Sequence, residues 1–244
     1  MSYLTFWRFV SALTTTTVSV QRAPTQQTFY FDKSFYSQKH VRALERVDDL
    51  IRKGTIYKHG DTTTVAQIDF FGQPVVIKRY NTHSIWHGIK QFIKVSRAYN
   101  SWFYAHWMVA NNIFTPVPCA VIEQRMGWFR QRSYYLYEAL DFSPLMDVLL
   151  REELDSPISL HFQQRIVDIF KACRRARVRH RDFKITNFLV HQHEIYLIDL
   201  DHMSYYCSNF FLRIMQRRDR KRFLRNFAQY PALHARFQTL LTFV

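Results

Sequence analysis

Arg179-His180-Arg181-Asp182-Phe183-Lys184-Ile185-Thr186-Asn187 leads into Phe188-Leu189-Val190, a polar turn (His191-Gln192-His193-Glu194) and Ile195-Tyr196-Leu197-Ile198-Asp199. Two short apolar runs joined by four polar residues predict an antiparallel hairpin. Such a hairpin sets the start of one strand beside the end of the other, with facing Cα atoms ~4.5 to 5.5 Å apart. Asn187 and Asp199 then flank its open base, where an amide oxygen and a carboxylate can share a hard cation such as Mg²⁺. Asp182, in the loop leading in, reaches the same end. One polar residue at a strand end means little; three converging acid or amide groups point to chemistry.

Upstream the pattern turns to strands. Thr55 to Lys58, Val65 to Phe70 and Pro74 to Tyr80 form a predicted meander, with Gly60-Asp61-Thr62-Thr63-Thr64 and Phe71-Gly72-Gln73 as its turns. Alternation puts Val76 and Lys78 on one face of the third strand and Ile77 on the other. Before it, Gln38 to Lys53 has helical spacing (Val41, Leu44, Val47, Ile51) and is closed by Gly54. After it come a helix over Ser96 to Asn111, broken by Pro116 and Pro118, and strands at Ala120 to Glu123 and Ser133 to Glu138. Residues 1–35, rich in Ser, Thr and Gln, read as a loose lead-in. Residues 36–140 form a sheet-rich part and residues 141–244 a mainly helical part, with helices at Ser159 to Arg177 and from about Phe210.

The formal charge of +15 and pI near 9.9 favour anionic partners such as nucleotides, nucleic acid or anionic lipid. Cations crowd Lys171 to Lys184, around Asp182, and Arg213 to Arg225, around the single acid Asp219. The second run suits either a solvated helix face or an interfacial helix. Cys119, Cys173 and Cys207 have no metal or disulfide spacing and read as buried thiols of a reducing compartment. Phe6-Trp7-Arg8-Phe9-Val10 lacks the form of a secretory signal. No stretch reaches the ~20 apolar residues of a membrane span.

His180-Arg181-Asp182 followed by four residues and Asn187 resembles the catalytic loop of the protein-kinase superfamily. The resemblance implies an α+β, bilobal fold, with a small antiparallel-sheet N-lobe over 36–140 and a helical C-lobe over 141–244. It implies ATP and Mg²⁺ as cofactors. Asp182 would orient the attacking hydroxyl, Lys184 would neutralise the moving phosphoryl group, and Asn187 and Asp199 would hold the metal. Val75-Val76-Ile77-Lys78 resembles the strand whose Lys grips the α- and β-phosphates. The loop with Gly60, Thr62 and Thr63 would cover phosphates, and the backbone of Glu138 to Leu140 would meet adenine. Ile198-Asp199-Leu200-Asp201 stands where protein kinases have Asp-Phe-Gly, as in small-molecule kinases, and Asp201 is a candidate second ligand. The chain departs from the pattern in having no Asp or Glu from Arg79 to Ile122, so the helix Glu that pairs with the Lys is missing. Asp61, Asp69 and Glu123 are the candidate substitutes.

Within the superfamily the chain is most similar to the bacterial lipopolysaccharide core kinases. The resemblance rests on Val76-Ile77-Lys78-Arg79-Tyr80, Ser96-Arg97-Ala98, Ile113-Phe114-Thr115-Pro116-Val117-Pro118 and the His180 to Asp199 block. It implies a Kdo or heptose hydroxyl on lipid A as acceptor. It also implies a cytoplasmic enzyme, peripheral at the inner membrane and drawn to anionic glycolipid by its basic C-terminal segment. Two rivals stand beside it. One is a kinase for a protein or a small soluble alcohol. The other is an inactive kinase-fold binding module for RNA, favoured by the missing Glu and opposed by the intact Asp182, Lys184, Asn187 and Asp199 set.

Overall fold

The computed structural model describes residues 15–22, 25–81, 95–127 and 129–242. The Phe6 to Val10 stretch lies outside them. The fold is α+β. It divides into a sheet-bearing unit, drawn from residues 10–106 and 116–140, and a helical unit, drawn from 107–115 and 141–244.

In the sheet-bearing unit, strands β1 (Thr15–Arg22), β2 (Thr25–Asp32), β3 (Thr55–His59), β4 (Thr63–Phe70), β5 (Gln73–Tyr80), β6 (Pro118–Met126) and β7 (Phe129–Glu138) form one sheet. Their order is β1-β2-β6-β7-β5-β4-β3, and every pairing is antiparallel. The loose lead-in expected over residues 1–35 is therefore corrected: Thr15 to Asp32 is a hairpin docked on β6. Alternation explains why it holds. Phe29 and Phe31 are fully buried in the core. Tyr30, between them, faces the other way and meets Tyr99 edge-on at 5.0 Å.

The single helix expected over Gln38 to Lys53 is two, α1 (Gln38–Leu44) and α2 (Val47–Lys53). Both bury their apolar residues (Val41, Leu44, Val47, Ile51) in the same cluster as Phe29, Ile68, Ile77 and Ile122. Gly54 closes α2, but in extended backbone (φ −83°) rather than the left-handed cap the sequence suggests. Its requirement is one of space: a Cβ there would sit 2.5 Å from the Gln67 carbonyl oxygen. Helix α3 (Arg97–Ala110) follows, with Ser101 Oγ 3.0 Å from Tyr80 Oη.

The helical unit holds β8 (Ser143–Pro144), α4 (Leu145–Arg151), α5 (Pro157–Arg175), β9 (Val178–Arg179), β10 (Phe188–His191), β11 (Glu194–Leu197), β12 (Ser204–Tyr205), α6 (Asn209–Arg225) and α7 (Pro231–Leu240). Ser156 caps α5, accepting from Ser159 N, and Pro157 sits at the first helical position. The expected hairpin is β10–β11, with Phe188 opposite Leu197 and His191 opposite Glu194. Its two turn residues, Gln192 and His193, both have positive φ (47° and 64°), as a two-residue turn matched to strand twist requires. Around it, Phe183, Phe188, Phe223, Phe227 and Phe237 are buried and in ring contact. Phe183 also stacks on Phe170 at 4.5 Å. This cluster of six phenylalanines packs the backbone on either side of Asp182.

Candidate active site

The catalytic loop is built by the hairpin on one side and by α6 on the other. Asn187 closes a short turn ahead of β10. Its Nδ2 donates to the Asp182 carbonyl at 2.9 Å, and its own carbonyl accepts the Ile198 N–H at 3.0 Å. That second bond clamps the open base of the hairpin, immediately before Asp199. Asp199 itself takes left-handed backbone (φ 63°, ψ 51°), which ends the strand and turns the chain. The four residues Asp182, Lys184, Asn187 and Asp199 are therefore gathered at one end of the hairpin. With its amide nitrogen committed to the loop, Asn187 has its oxygen left for a ligand. That oxygen and the Asp199 carboxylate are the donor set a magnesium ion accepts. Asp201 differs from expectation. Its side chain is fully buried and its Oδ1 lies 2.6 Å from His202 Nδ1, so that oxygen is already engaged.

Asp182 is 21% exposed and sits between two cations. Its Oδ2 is 3.2 Å from Lys184 Nζ, and its Oδ1 is 3.2 Å from Arg222 Nε. Oδ1 is buried yet accepts no hydrogen bond from the described residues. Burial beside Arg222 closes Oδ1 to an incoming hydroxyl, which leaves Oδ2, beside Lys184, as the oxygen placed to accept a hydroxyl proton.

The sequence did not single out what α6 contributes. Arg181 has positive φ (70°), a costly conformation for a residue with a Cβ. Its peptide groups are held from both sides by α6: Asp219 Oδ2 accepts the Arg181 N–H at 3.3 Å, and Arg222 Nη1 donates to the Arg181 carbonyl at 2.9 Å. Asp219 Oδ1 also takes Arg179 through Nε (3.0 Å) and Nη2 (2.9 Å) in a buried pair. The one acid in the basic run is thus the anchor of the loop. Its isolation among seven cations was the available signal.

His180 is fully buried, and its Nε2 lies 3.0 Å from the Ile198 carbonyl, so that nitrogen carries the proton. Burial pushes its pKa below 6.5; the Ile198 bond and the nearby Asp199, Asp219 and Asp182 oppose that shift. His106 is lowered by burial too, against Asp32. Both imidazoles fold neutral, whereas the unfolded chain protonates them near pH 6.5. The unfolded state then binds more protons below that pH, so stability falls as pH drops through 6.5. Each imidazole contributes at most about 1.4 kcal/mol per pH unit. Urea midpoints at pH 7.5 and 5.0 should show the fall, and His106→Gln/His180→Gln should make it shallower.

In the sheet-bearing unit, Lys78 pairs with Val65 and Tyr135 across the sheet, and its Nζ lies 5.1 Å from the Tyr80 ring centroid. Of its candidate partners, Asp69 accepts the Gly72 N–H at 2.7 Å and Glu123 lies 3.8 Å from Arg125. Arg79, on the opposite face of β5, is bound by Asp48 (3.1 Å) and Thr64 (3.0 Å). The Gly60 N–H donates to the Thr63 carbonyl at 3.0 Å, which closes the loop tightly. Thr62 is exposed at its tip, but Thr63 is buried inside β4 opposite Tyr80. Asn81, another residue the sequence did not flag, pins this loop by donating to the Thr62 and Asp61 carbonyls (3.0 and 2.9 Å).

At the end of β7, the Glu138 N–H donates to the Val117 carbonyl and the Ala139 N–H to the Pro74 carbonyl. The Val117 N–H goes to the Glu138 carboxylate at 2.8 Å rather than to the Glu138 carbonyl. Cys119 and Cys173 are buried, which pushes both thiols up to about 12, whereas Cys207 is exposed, contrary to the uniform burial expected.

An antiparallel sheet unit carrying a strand Lys, and a helical unit carrying the His-Arg-Asp loop with its Asn and Asp, define a protein-kinase-like fold. The solved structure of WaaP in complex with acyl carrier protein is similar to this chain at a TM-score of 0.52 and 18% identity, covering 82% of this chain and 89% of that one. No curated protein matches the sequence. The profile of the lipopolysaccharide kinase (Kdo/WaaP) family matches residues 79–241, more than half of the chain, and the chain belongs to that family. It is accordingly a lipopolysaccharide kinase, a phosphotransferase. Among the described residues no helix is long and apolar enough to cross a membrane.

Proposed function

We propose that the protein transfers the γ-phosphoryl group of ATP to a sugar hydroxyl of the lipopolysaccharide inner core, Kdo or heptose on lipid A. The observation that carries the reading is the loop in which Asn187 Nδ2 holds the Asp182 carbonyl while Asp182 Oδ2 sits 3.2 Å from Lys184 Nζ. Asp182 accepts the hydroxyl proton or orients the hydroxyl, and Lys184 neutralises charge on the transferred group. Asn187 and Asp199 would hold a magnesium ion, which supplies charge neutralisation on the phosphates.

Lys78 grips phosphate oxygens and the exposed Thr62 covers them through its N–H and hydroxyl, with Gly60 and the buried Thr63 shaping the turn. The Glu138 carbonyl and the Leu140 N–H present one acceptor and one donor to the adenine edge. With +15 net charge and a basic α6, the enzyme works as a peripheral protein on the cytoplasmic face of the inner membrane.

The test is transfer of label from γ-labelled ATP with Mg²⁺ into underphosphorylated Kdo–lipid A, beside an Asp199→Asn control. Label in the glycolipid with wild type, and loss of most of it with the variant, is the expected result. Label confined to protein would overturn the acceptor. Failure to bind or turn over ATP would overturn the reaction.

A further inference from the structure

Helix α6 advances about 100° per residue, so its seven cations do not share one face. Met215, Asp219 and Arg222 point toward the catalytic loop, as their contacts with Arg179 and Arg181 show. Arg213, Arg217 and Arg220, at spacings of four and three, lie on a second face, and Arg218, Lys221 and Arg225 on a third. The second face lines a concavity of about 270 Å³ whose wall is completed by Arg174 of α5, Gln216 and Thr242, with Phe170 at its base.

Among the described residues, four arginines and no carboxylate line this space. Arg220 is partly committed, donating through Nη1 to the Leu241 and Thr242 carbonyls (2.7 and 3.3 Å). Arg174, Arg213 and Arg217 form no ion pair with a described residue. A guanidinium cannot shed its charge by losing a proton, so four of them around one concavity repel one another and draw in an anion from outside. The fork of N–H groups matches phosphate oxygens in pairs, and a wall of several forks selects a phosphate over a monovalent halide. One turn before Arg213, Phe210 and Phe211 are 67% and 58% exposed. At 100° per residue Phe210 falls beside Arg217 and Phe211 beside Arg218, and exposed aromatic rings beside cations are the composition of an interfacial segment.

We propose that this concavity is a phosphate-binding site distinct from the catalytic loop, and that Phe210 and Phe211 bring it to a lipid-borne phosphate. The pocket itself does not depend on the kinase reading; only the lipid source leans on it.

Two probes separate the sources, each with the nucleotide site saturated by a non-hydrolysable ATP analogue. One is inorganic pyrophosphate, followed by titration calorimetry. The other is phosphatidylcholine vesicles with and without phosphatidic acid, followed by co-sedimentation. Arg213→Ala/Arg217→Ala removes two exposed, unpaired cations from the pocket, and Arg218→Ala/Lys221→Ala removes the same charge from the third face. The pocket pair should weaken whichever probe binds by about tenfold or more, in line with lost charged hydrogen bonds, and the control pair by far less. Vesicle retention that needs phosphatidic acid, and that also falls in Phe210→Ser/Phe211→Ser, assigns the phosphate to a lipid. Pyrophosphate binding without vesicle retention keeps the site and assigns it to a soluble phosphate. Equal losses for the two charge pairs, or binding of neither probe, would overturn the proposal. None of these readouts requires phosphoryl transfer, so failure of the site and failure of the enzymatic reading are separable.

Discussion

Asp182→Asn should lower the rate of phosphoryl transfer by about 10²- to 10⁴-fold, the range for loss of a positioned general base, while the KM for ATP holds. The substitution is nearly isosteric, and the Asp182 carbonyl still accepts from Asn187 Nδ2, so the loop keeps its course. What is lost is a charged acceptor at Oδ1 and Oδ2 and its attraction for Lys184 and Arg222. Both cations are partly exposed, at 46% and 40%, so the pairs are screened and add little to stability. The melting temperature should therefore stay close to wild type. In the proposed reaction Asp182 meets the attacking hydroxyl and not the nucleotide, so the loss belongs in kcat. Single-turnover rates with saturating acceptor, set beside an ATP titration, separate the two. A rise in the KM for ATP at unchanged kcat would place Asp182 in nucleotide binding instead.

How far the sequence speaks depends on how local each interaction is. The β10–β11 hairpin spans few residues, so its existence was legible; its turn is two residues rather than four, which sets Asn187 beside Ile198, one residue before the Asp199 expected to flank it. The strands around Lys78 were legible for the same reason: their partners are neighbours joined by short turns. The hairpin Thr15 to Asp32 was not, because β1 is mostly Thr, Ser and Gln and β2 pairs with a strand some ninety residues downstream. Its signal was there in Phe29 and Phe31 alternating with Tyr30. The break between α1 and α2 was hidden because Val41, Leu44, Val47 and Ile51 keep their spacing across it. Both helices face the same core, so the apolar pattern satisfies packing whether or not the backbone is continuous. Asp219 and Arg222 were missed because they act on the loop from about forty residues away, inside a run that reads as a solvated charged face. Only tertiary structure divides that run into a face that builds the catalytic loop and faces that meet solvent.

Asp219→Asn should be the more damaging change to the protein as a whole. The Arg179 side chain is 12% exposed and that of Asp219 3%, so removing the carboxylate strands a guanidinium in a nearly dry site. Breaking such a pair from one side costs about 3 to 5 kcal/mol, because a buried charge is left uncompensated. An urea midpoint measured beside wild type reads that cost directly. The second consequence concerns the loop, since Asp219 Oδ2 also accepts the N–H of Arg181, which sits at φ 70°. With that acceptor weakened, one of the two α6 contacts restraining this conformation is reduced, and Asp182 is the next residue. Arg179→Met/Asp219→Leu distinguishes the two effects. Replacing both partners by apolar groups removes the stranded charge, so stability should return toward wild type. The Arg181 N–H still lacks its acceptor in the double variant, so kcat should stay low while the KM for ATP is unchanged. Recovery of kcat along with stability would mean that the pair serves folding alone. A stable protein with a slow transfer step would make Asp219 a positioning residue that acts through Arg181 on Asp182.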